Sequence, residues 1–416
     1  MFRPSLTRGV SVDSADVSGY ARSRRASLSA EQRRKLSMLR SASIPSPLTP
    51  VSHIYHLVPC PRKDCNQKYV VSTDRSGDIH VHVQGIIPQP NKGDLSQQDK
   101  RCVFLTVHDL GTNHSTMVDF VNSPAMSEIK ERSCFIHVDV PGHEEGSPDL
   151  PDSYQFPSLQ TLGEDLITVL DFLHVRYAVG LGEGAGANVL ARCGLAHPRR
   201  LLGLILVNCT ASTSSVADAF RSRFSRWRGA DISQSEEDFL IYHKFGHVSF
   251  EPEQLDYSYQ QISSDSCEAG ERDRMLTEYR SRLRGNLNTH NIKQYVRAFI
   301  NRKDLVLRGC QPDILLITGM LSPYSTVIEK MYKELDKERV TILKVDRAGD
   351  VLAETPAKIA QSLLLFCQGQ GLLTSLPPPG VERRMSRAMS MEEYDKPNIR
   401  RLSLTPAQPD SPHRKL

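Results

Sequence analysis

One stretch narrows the choice of folds more than any other. Tyr177 to Leu181 reads as a strand, Gly182-Glu183-Gly184-Ala185-Gly186-Ala187 as a tight turn, and Ala185 to Ala196 as a helix stopped by Pro198. Small residues at Gly182 and Gly186 let a strand and a helix approach backbone to backbone, the hallmark of sheets whose strands are joined by helical crossovers. The rest of the chain repeats that alternation. Tyr69 to Thr73 and Asp78 to Ile87 form two strands around Ser76-Gly77, and six more follow at Val103 to Val107, Cys134 to Val138, Tyr177 to Leu181, Leu202 to Val207, Ile314 to Thr318 and Val340 to Val345. Helices are expected from Ser115 to Arg132, Ser158 to His174, Tyr324 to Leu335 and Thr355 to Gln368. The second carries a leucine stripe (Leu159, Leu162, Leu166, Leu170, Leu173) and a capping box of Thr161 and Glu164. The expectation is an α/β fold with a mostly parallel eight-stranded sheet flanked by helices.

Residues 210–307 break the pattern with charged helical segments (FRSRFSRW, EEDFLIYHKF, RDRMLTEYRSRL, IKQYVRAFI), which read as an inserted helical cap. The core is then split into 51–209 and 308–375. Residues 1–50 and 376–416 are Ser-, Arg- and Pro-rich with few large apolar side chains, the composition of disordered tails. They hold nine Lys and Arg against three Asp and Glu, and eight against five, so a net +4 chain has basic ends and an acidic middle. Neither end interleaves aromatics with the arginines, so nucleic acid is not an expected partner. No apolar run reaches the ~18 residues of a membrane span, and the start lacks a secretory h-region, so a cytoplasmic setting is expected. Nine scattered cysteines without a CxxC pair read as reduced packing thiols rather than a disulfide framework or a zinc site.

The strand, turn and helix around Gly184 form the context of a nucleophile elbow, G-x-S-x-G, in which the middle residue is thrust toward substrate. Here that residue is Gly184, which has no side chain with which to attack. The same six residues fit the loose dinucleotide pattern G-x-G-x-x-A. That reading fails because four strands come before it and the following strand ends Val207-Asn208-Cys209 without an acid for a ribose.

Five segments carry a resemblance: FLTVHDLGTNHST (Phe104 to Thr116), HVDVPGHEEG (His137 to Gly146), GEGAGANVLARCGLAHP (Gly182 to Pro198), NRKDL (Asn301 to Leu305) and LLITGMLSP (Leu315 to Pro323). With them the chain, from about Tyr69 to Gly371, resembles the α/β-hydrolase fold and, more narrowly, the N-myc downstream-regulated family. The resemblance implies a hydrolase-type core under a helical cap, a cytoplasmic setting, no hydrolase activity, and a role in signalling, stress and differentiation responses; no cofactor is expected. Active hydrolases place the acid in the turn after the strand that corresponds to Ile314 to Thr318, where Ser322 stands here, and the base after the last strand, where Asp350 replaces a histidine. All three positions of the triad, Gly184, Ser322 and Asp350, are thus read as vacant.

Other polar groups around the turn have bland and functional readings. The His108-Asp109 loop lies where hydrolases place one oxyanion donor, with the Ala185 N–H as the other; the bland reading is a turn held by Asp109. Glu183 is open to reading as a lone acid or base. The spacing of His137, Asp139 and His143 invites a metal, yet packing and turn hydrogen bonds account for it, and no metal site is expected. His80 and His82 share a strand face and read as surface residues, and Cys193 as a buried thiol. In the tails, Ser27, Ser37, Ser386 and Ser403 follow arginines in the pattern basophilic kinases use. The function expected is partner binding in cytoplasmic signalling, with signalling proteins and basophilic kinases as partners. The alternatives are a relocated constellation such as His108 with Asp139, an acyl or lipid ligand in the pocket, and a membrane-surface adaptor leaning on its basic tails.

Overall fold

The structure is a computed structural model that describes residues 67–88, 90–91, 94–98, 101–212, 232–246 and 266–378. Strands β1 (Gln67–Thr73) and β2 (Gly77–Gln84) form an antiparallel hairpin. A separate two-stranded ribbon, β3 (Pro90–Asn91) with β4 (Asp94–Gln98), follows, and the sequence reading missed it. The remaining strands are β5 (Cys102–Val107), β6 (Ser133–Asp139), β7 (Ala178–Glu183), β8 (Leu201–Val207), β9 (Asp313–Gly319) and β10 (Val340–Val345). The eight-stranded sheet runs β1-β2-β6-β5-β7-β8-β9-β10. It is antiparallel at β1, β2 and β6 and parallel from there on. The order folds back at β6 and β5, so β7 lies near the middle and its C-terminal end opens beside that of β5.

Every residue of β5, β6 and β7 is buried, because helices cover both sheet faces. Phe104 and Phe135 stack across β5 and β6 at 4.8 Å. Burying such a ring contributes roughly 1.5–3 kcal/mol.

The helices are α1 (His114–Val121), α2 (Ser127–Glu131), α3 (Leu159–Phe172), α4 (Gly184–Ala196), α5 (Gln234–Phe245), α6 (Ser266–Gly285), α7 (Thr289–Ile300), α8 (Ser325–Glu334), α9 (Val351–Glu354) and α10 (Pro356–Gly369). The helix expected over Ser115 to Arg132 is broken in two, since Pro124 has no N–H to continue the ladder and starts a 3₁₀ turn instead. The capping box expected at Thr161 and Glu164 is also corrected. Ser158 caps α3, its Oγ accepting from the Thr161 N–H at 3.1 Å, while Glu164 turns outward to Arg75 at 2.6 Å.

The described cap helices α5, α6 and α7 are tied together by acids on α5. Glu237, itself buried, accepts from Arg280 at 3.1 Å and Arg284 at 2.7 Å on α6, and Glu236 pairs with Lys293 on α7 at 3.3 Å. Their placement fixes what α5 presents to the sheet. These elements belong to one compact unit ending at Thr374. Among the described residues, no helix is long and apolar enough to cross a membrane.

Candidate functional site

At the end of β7 the chain turns through Gly184 with φ +51°, a left-handed conformation that favours glycine, and enters α4. This is the elbow the sequence promised, and what fills it is another residue's side chain. A Cβ built on Gly184 would fall inside the carboxylate of Asp109. Asp109 comes from the turn after β5, is fully buried, and its Oδ1 accepts the Ala185 N–H at 2.8 Å. The backbone donor that would stabilise an oxyanion is therefore engaged by an anion of the protein itself.

The second partner of Asp109 descends from the cap. His243, on α5, places Nε2 2.9 Å from each Asp109 oxygen, and its Nδ1 meets the Tyr324 hydroxyl. Burial disfavours the Asp109 charge, but the His243 partner, with Lys244 and the Ala185 N–H behind it, outweighs that and lowers its pKa. The next residue, Lys244, sends its ammonium 2.9 Å from both oxygens of Glu183 and 3.0 Å from Asp350 Oδ2. Burial works against the ammonium, yet Asp350, Glu183 and Asp109 together raise its pKa. One cation facing two close carboxylates leaves a surplus negative charge. Burial accordingly pushes Glu183 up to about 8, with Lys244 pulling it back and Asp350 and Asp109 pushing it further.

The three residues expected at vacant triad positions each have a defined surrounding. Gly184 lies under Asp109. Asp350 caps α9, accepting the Ala353 N–H at 3.3 Å, and pairs with Lys244. Ser322 is buried in the turn after β9, its Oγ accepting the Tyr324 N–H at 3.3 Å. Gly349, beside Asp350, is held so close to the Phe245 carbonyl at the end of α5 that no side chain fits there.

Several expectations are revised. Glu183 is not a lone acid or base, because Lys244 clasps both its oxygens. His108 and Asp139 do not form a dyad: His108 Nε2 accepts the Val140 N–H at 3.1 Å and its Nδ1 bonds the Asp109 carbonyl at 2.8 Å, whereas Asp139 pairs with His82 and His114. Asp109 does hold its turn, its carbonyl accepting the Thr112 hydroxyl at 2.8 Å, but its carboxylate is spent on the elbow. His82 is buried at 2% exposure and not on the surface, because the ring of His114 at the start of α1 stacks on it. His137 bonds Thr106 at 2.8 Å and Gln84 at 3.2 Å, and His143 meets the Pro141 carbonyl at 3.2 Å, so these two share no site with Asp139. Cys193 is buried, which pushes its thiol up to about 12. Ser27, Ser37, Ser386 and Ser403 lie outside the described residues.

Sequence reasoning missed His243, Lys244 and Tyr324. A signal existed: in FLIYHKF two basic residues sit inside an otherwise apolar helical run, where they need a buried partner.

Comparison with known proteins accords with this geometry. The model of the Ndr family matches residues 69–374. An uncharacterized protein of Caenorhabditis elegans, ZK1073.1, is 36% identical, covering 84% of this chain and 98% of its own. Protein NDRG1-A of Xenopus laevis is 31% identical, covering 71% and 72%, and Protein NDRG3 of the same frog 29%, covering 76% and 78%. Among solved structures, an esterase from Thermogutta terrifontis aligns over 73% of this chain and 99% of its own with TM-score 0.51 and 15% identity. A hydrolase from Pseudomonas aeruginosa aligns over 72% and 97% with TM-score 0.50 and 18% identity. These last two establish an α/β-hydrolase fold and no more.

Proposed function

Because the chain belongs to the Ndr family, whose model matches residues 69–374, we propose that it is a catalytically silent member of the α/β-hydrolase fold that works by binding other proteins. The observation that carries this is the elbow. Gly184 offers no nucleophile, and the space and backbone donor a nucleophile and oxyanion would use are taken by Asp109. Loss of the nucleophile alone costs on the order of 10⁶ in turnover in a well-studied serine protease. The basic tails supply the regulation: four serines behind arginines suit basophilic kinases, and each phosphate, near −2 in charge, turns a local basic patch toward neutrality. The setting is cytoplasmic signalling.

One observation favours a second reading. Asp109, His243 and Tyr324 form a hydrogen-bonded chain at the elbow, a relocated carboxylate and base in place of the triad. The two readings separate on covalent trapping and on capture. A serine-directed fluorophosphonate should label nothing, and carboxylate-trapping epoxide or haloalkane probes should leave Asp109 unmodified. Capture from lysate with serine-to-alanine and serine-to-aspartate versions of the four tail sites should recover different partners. Asp109 adducts that vanish in His243→Gln would overturn the silent reading, and identical captures would remove the tails from it.

A further inference from the structure

Away from the elbow, β2, β6 and the first residue of α1 bring two imidazoles onto one carboxylate. Asp139 Oδ2 lies 2.8 Å from His114 Nδ1 and 3.2 Å from His82 Nε2. The three residues are 5% exposed or less. We propose that His82, His114 and Asp139 form a binding site for a divalent transition ion of the zinc class, independent of the elbow and of the partner-binding reading.

The donor set fits. Two histidine nitrogens and one carboxylate oxygen suit zinc and its first-row neighbours, and three protein ligands leave a further position for water, as in open sites. All three donor atoms lie within 4.8 Å of one another. Bonds of about 2.0–2.1 Å in a tetrahedron place ligands about 3.3 Å apart, so the two measured separations need only small outward shifts. The support around the ligands is also in place: the other Asp139 oxygen accepts the His114 backbone N–H at 2.6 Å, which fixes the carboxylate's rotation. Two of the three ligands stand on sheet strands, His82 on β2 and Asp139 on β6, and those strands are paired in register.

The cost side points the same way. A carboxylate buried to 1% exposure is costly to desolvate, and a dication between the three groups compensates it. Without metal, His114 Nδ1 is hydrogen-bonded to the carboxylate at 2.8 Å and His82 Nε2 faces it at 3.2 Å. On binding, each ring carries its N–H on the far nitrogen and turns a lone pair to the ion, so no electron changes hands. The rings now stack at 3.4 Å, 9° from parallel, and must fan apart to converge on an ion. His114 opens α1 directly after the loop at 108–113, whereas His82 lies inside β2, so the fanning falls to the His114 side chain.

The test uses the full-length chain, stripped with chelator, loaded with Zn2+ and dialysed, with metal content and thermal midpoint measured. Wild type and His80→Gln should retain one equivalent and gain stability with zinc. His82→Gln and Asp139→Asn should retain none and gain nothing, while melting as cooperative folds. Failure of wild type to retain zinc, or equal retention by His82→Gln, overturns the proposal. Should those variants not fold, X-ray absorption on zinc-loaded wild type decides instead: two imidazoles with a carboxylate oxygen support the site, and sulfur ligation or a single imidazole refutes it.

Discussion

At the scale of single residues, the centre of the molecule is an exchange between two positions. Gly184 gives up a side chain and Asp109, from the neighbouring strand end, takes its place against the Ala185 N–H. Placing serine at Gly184 is therefore expected to meet the Asp109 carboxylate before any substrate. Gly184→Ser forces a side chain onto the Asp109 carboxylate and an L-residue into a left-handed φ, and should cost about 1–3 kcal/mol by denaturant unfolding with no ester hydrolysis gained. Added hydrolysis without loss of stability would contradict the packing described. Half of this exchange was legible from sequence: the pattern around Gly182 to Ala187 located the elbow and its missing nucleophile. The other half was not, because nothing local to Asp109 says that its carboxylate crosses to β7. That contact spans 76 residues and depends on β5 and β7 lying side by side.

At the scale of elements, α5 acts as a bolt between cap and sheet. Its consecutive His243 and Lys244 reach the turns after β5, β7 and β10, engaging Asp109, Glu183 and Asp350. Lys244→Met leaves buried carboxylates without their cation and should destabilise by about 3–5 kcal/mol in chemical denaturation; a loss below ~1 kcal/mol would show the bolt to be decorative. The same site sets a pH response. Glu183 in the folded protein keeps its proton up to about 8, against 4.5 ordinarily, chiefly through burial. The folded state thus binds more protons across that interval, and its stability falls as pH climbs through it. Glu183→Gln, which mimics the protonated acid, should flatten that decline, so the gap between variant and wild-type melting points widens from pH 5 to pH 8; parallel curves would refute it. On the acid side, burial drops His143 to about 3 from 6.5. That contribution is complete above pH 6.5 and disappears as pH falls toward 3. His143→Phe keeps the edge contact with Tyr295 and should lessen acid sensitivity in the same melts. The strands of the main sheet and the helices α5, α6 and α7 were readable from periodicity, since β-branched runs and charged helical segments differ in repeat, while the segment FRSRFSRW lies outside the described residues. The split at Pro124, the true cap at Ser158 and the β3–β4 ribbon were not, as each is settled by a local backbone choice with weak side-chain pattern.

For the whole molecule, an α/β-hydrolase architecture is present with the Asp109 carboxylate seated at its elbow. The sheet order, the elbow and the cap all survive, and the cap supplies the groups that neutralise what remains of the site. On this account the surface and the tails carry the function, and fold alone does not assign it. Placing His82 on the surface failed for a reason that operates at this scale: alternation in β2 signalled a two-faced strand, but from His82 onward chain packed on the sheet buries both faces, while Asp78 on the same face stays exposed. The most direct test is steady-state turnover of a panel of ester, thioester and lactone substrates by the full-length chain beside its Asp109→Asn form. The account predicts that neither exceeds the buffer blank; turnover by the wild type that Asp109→Asn abolishes would contradict it.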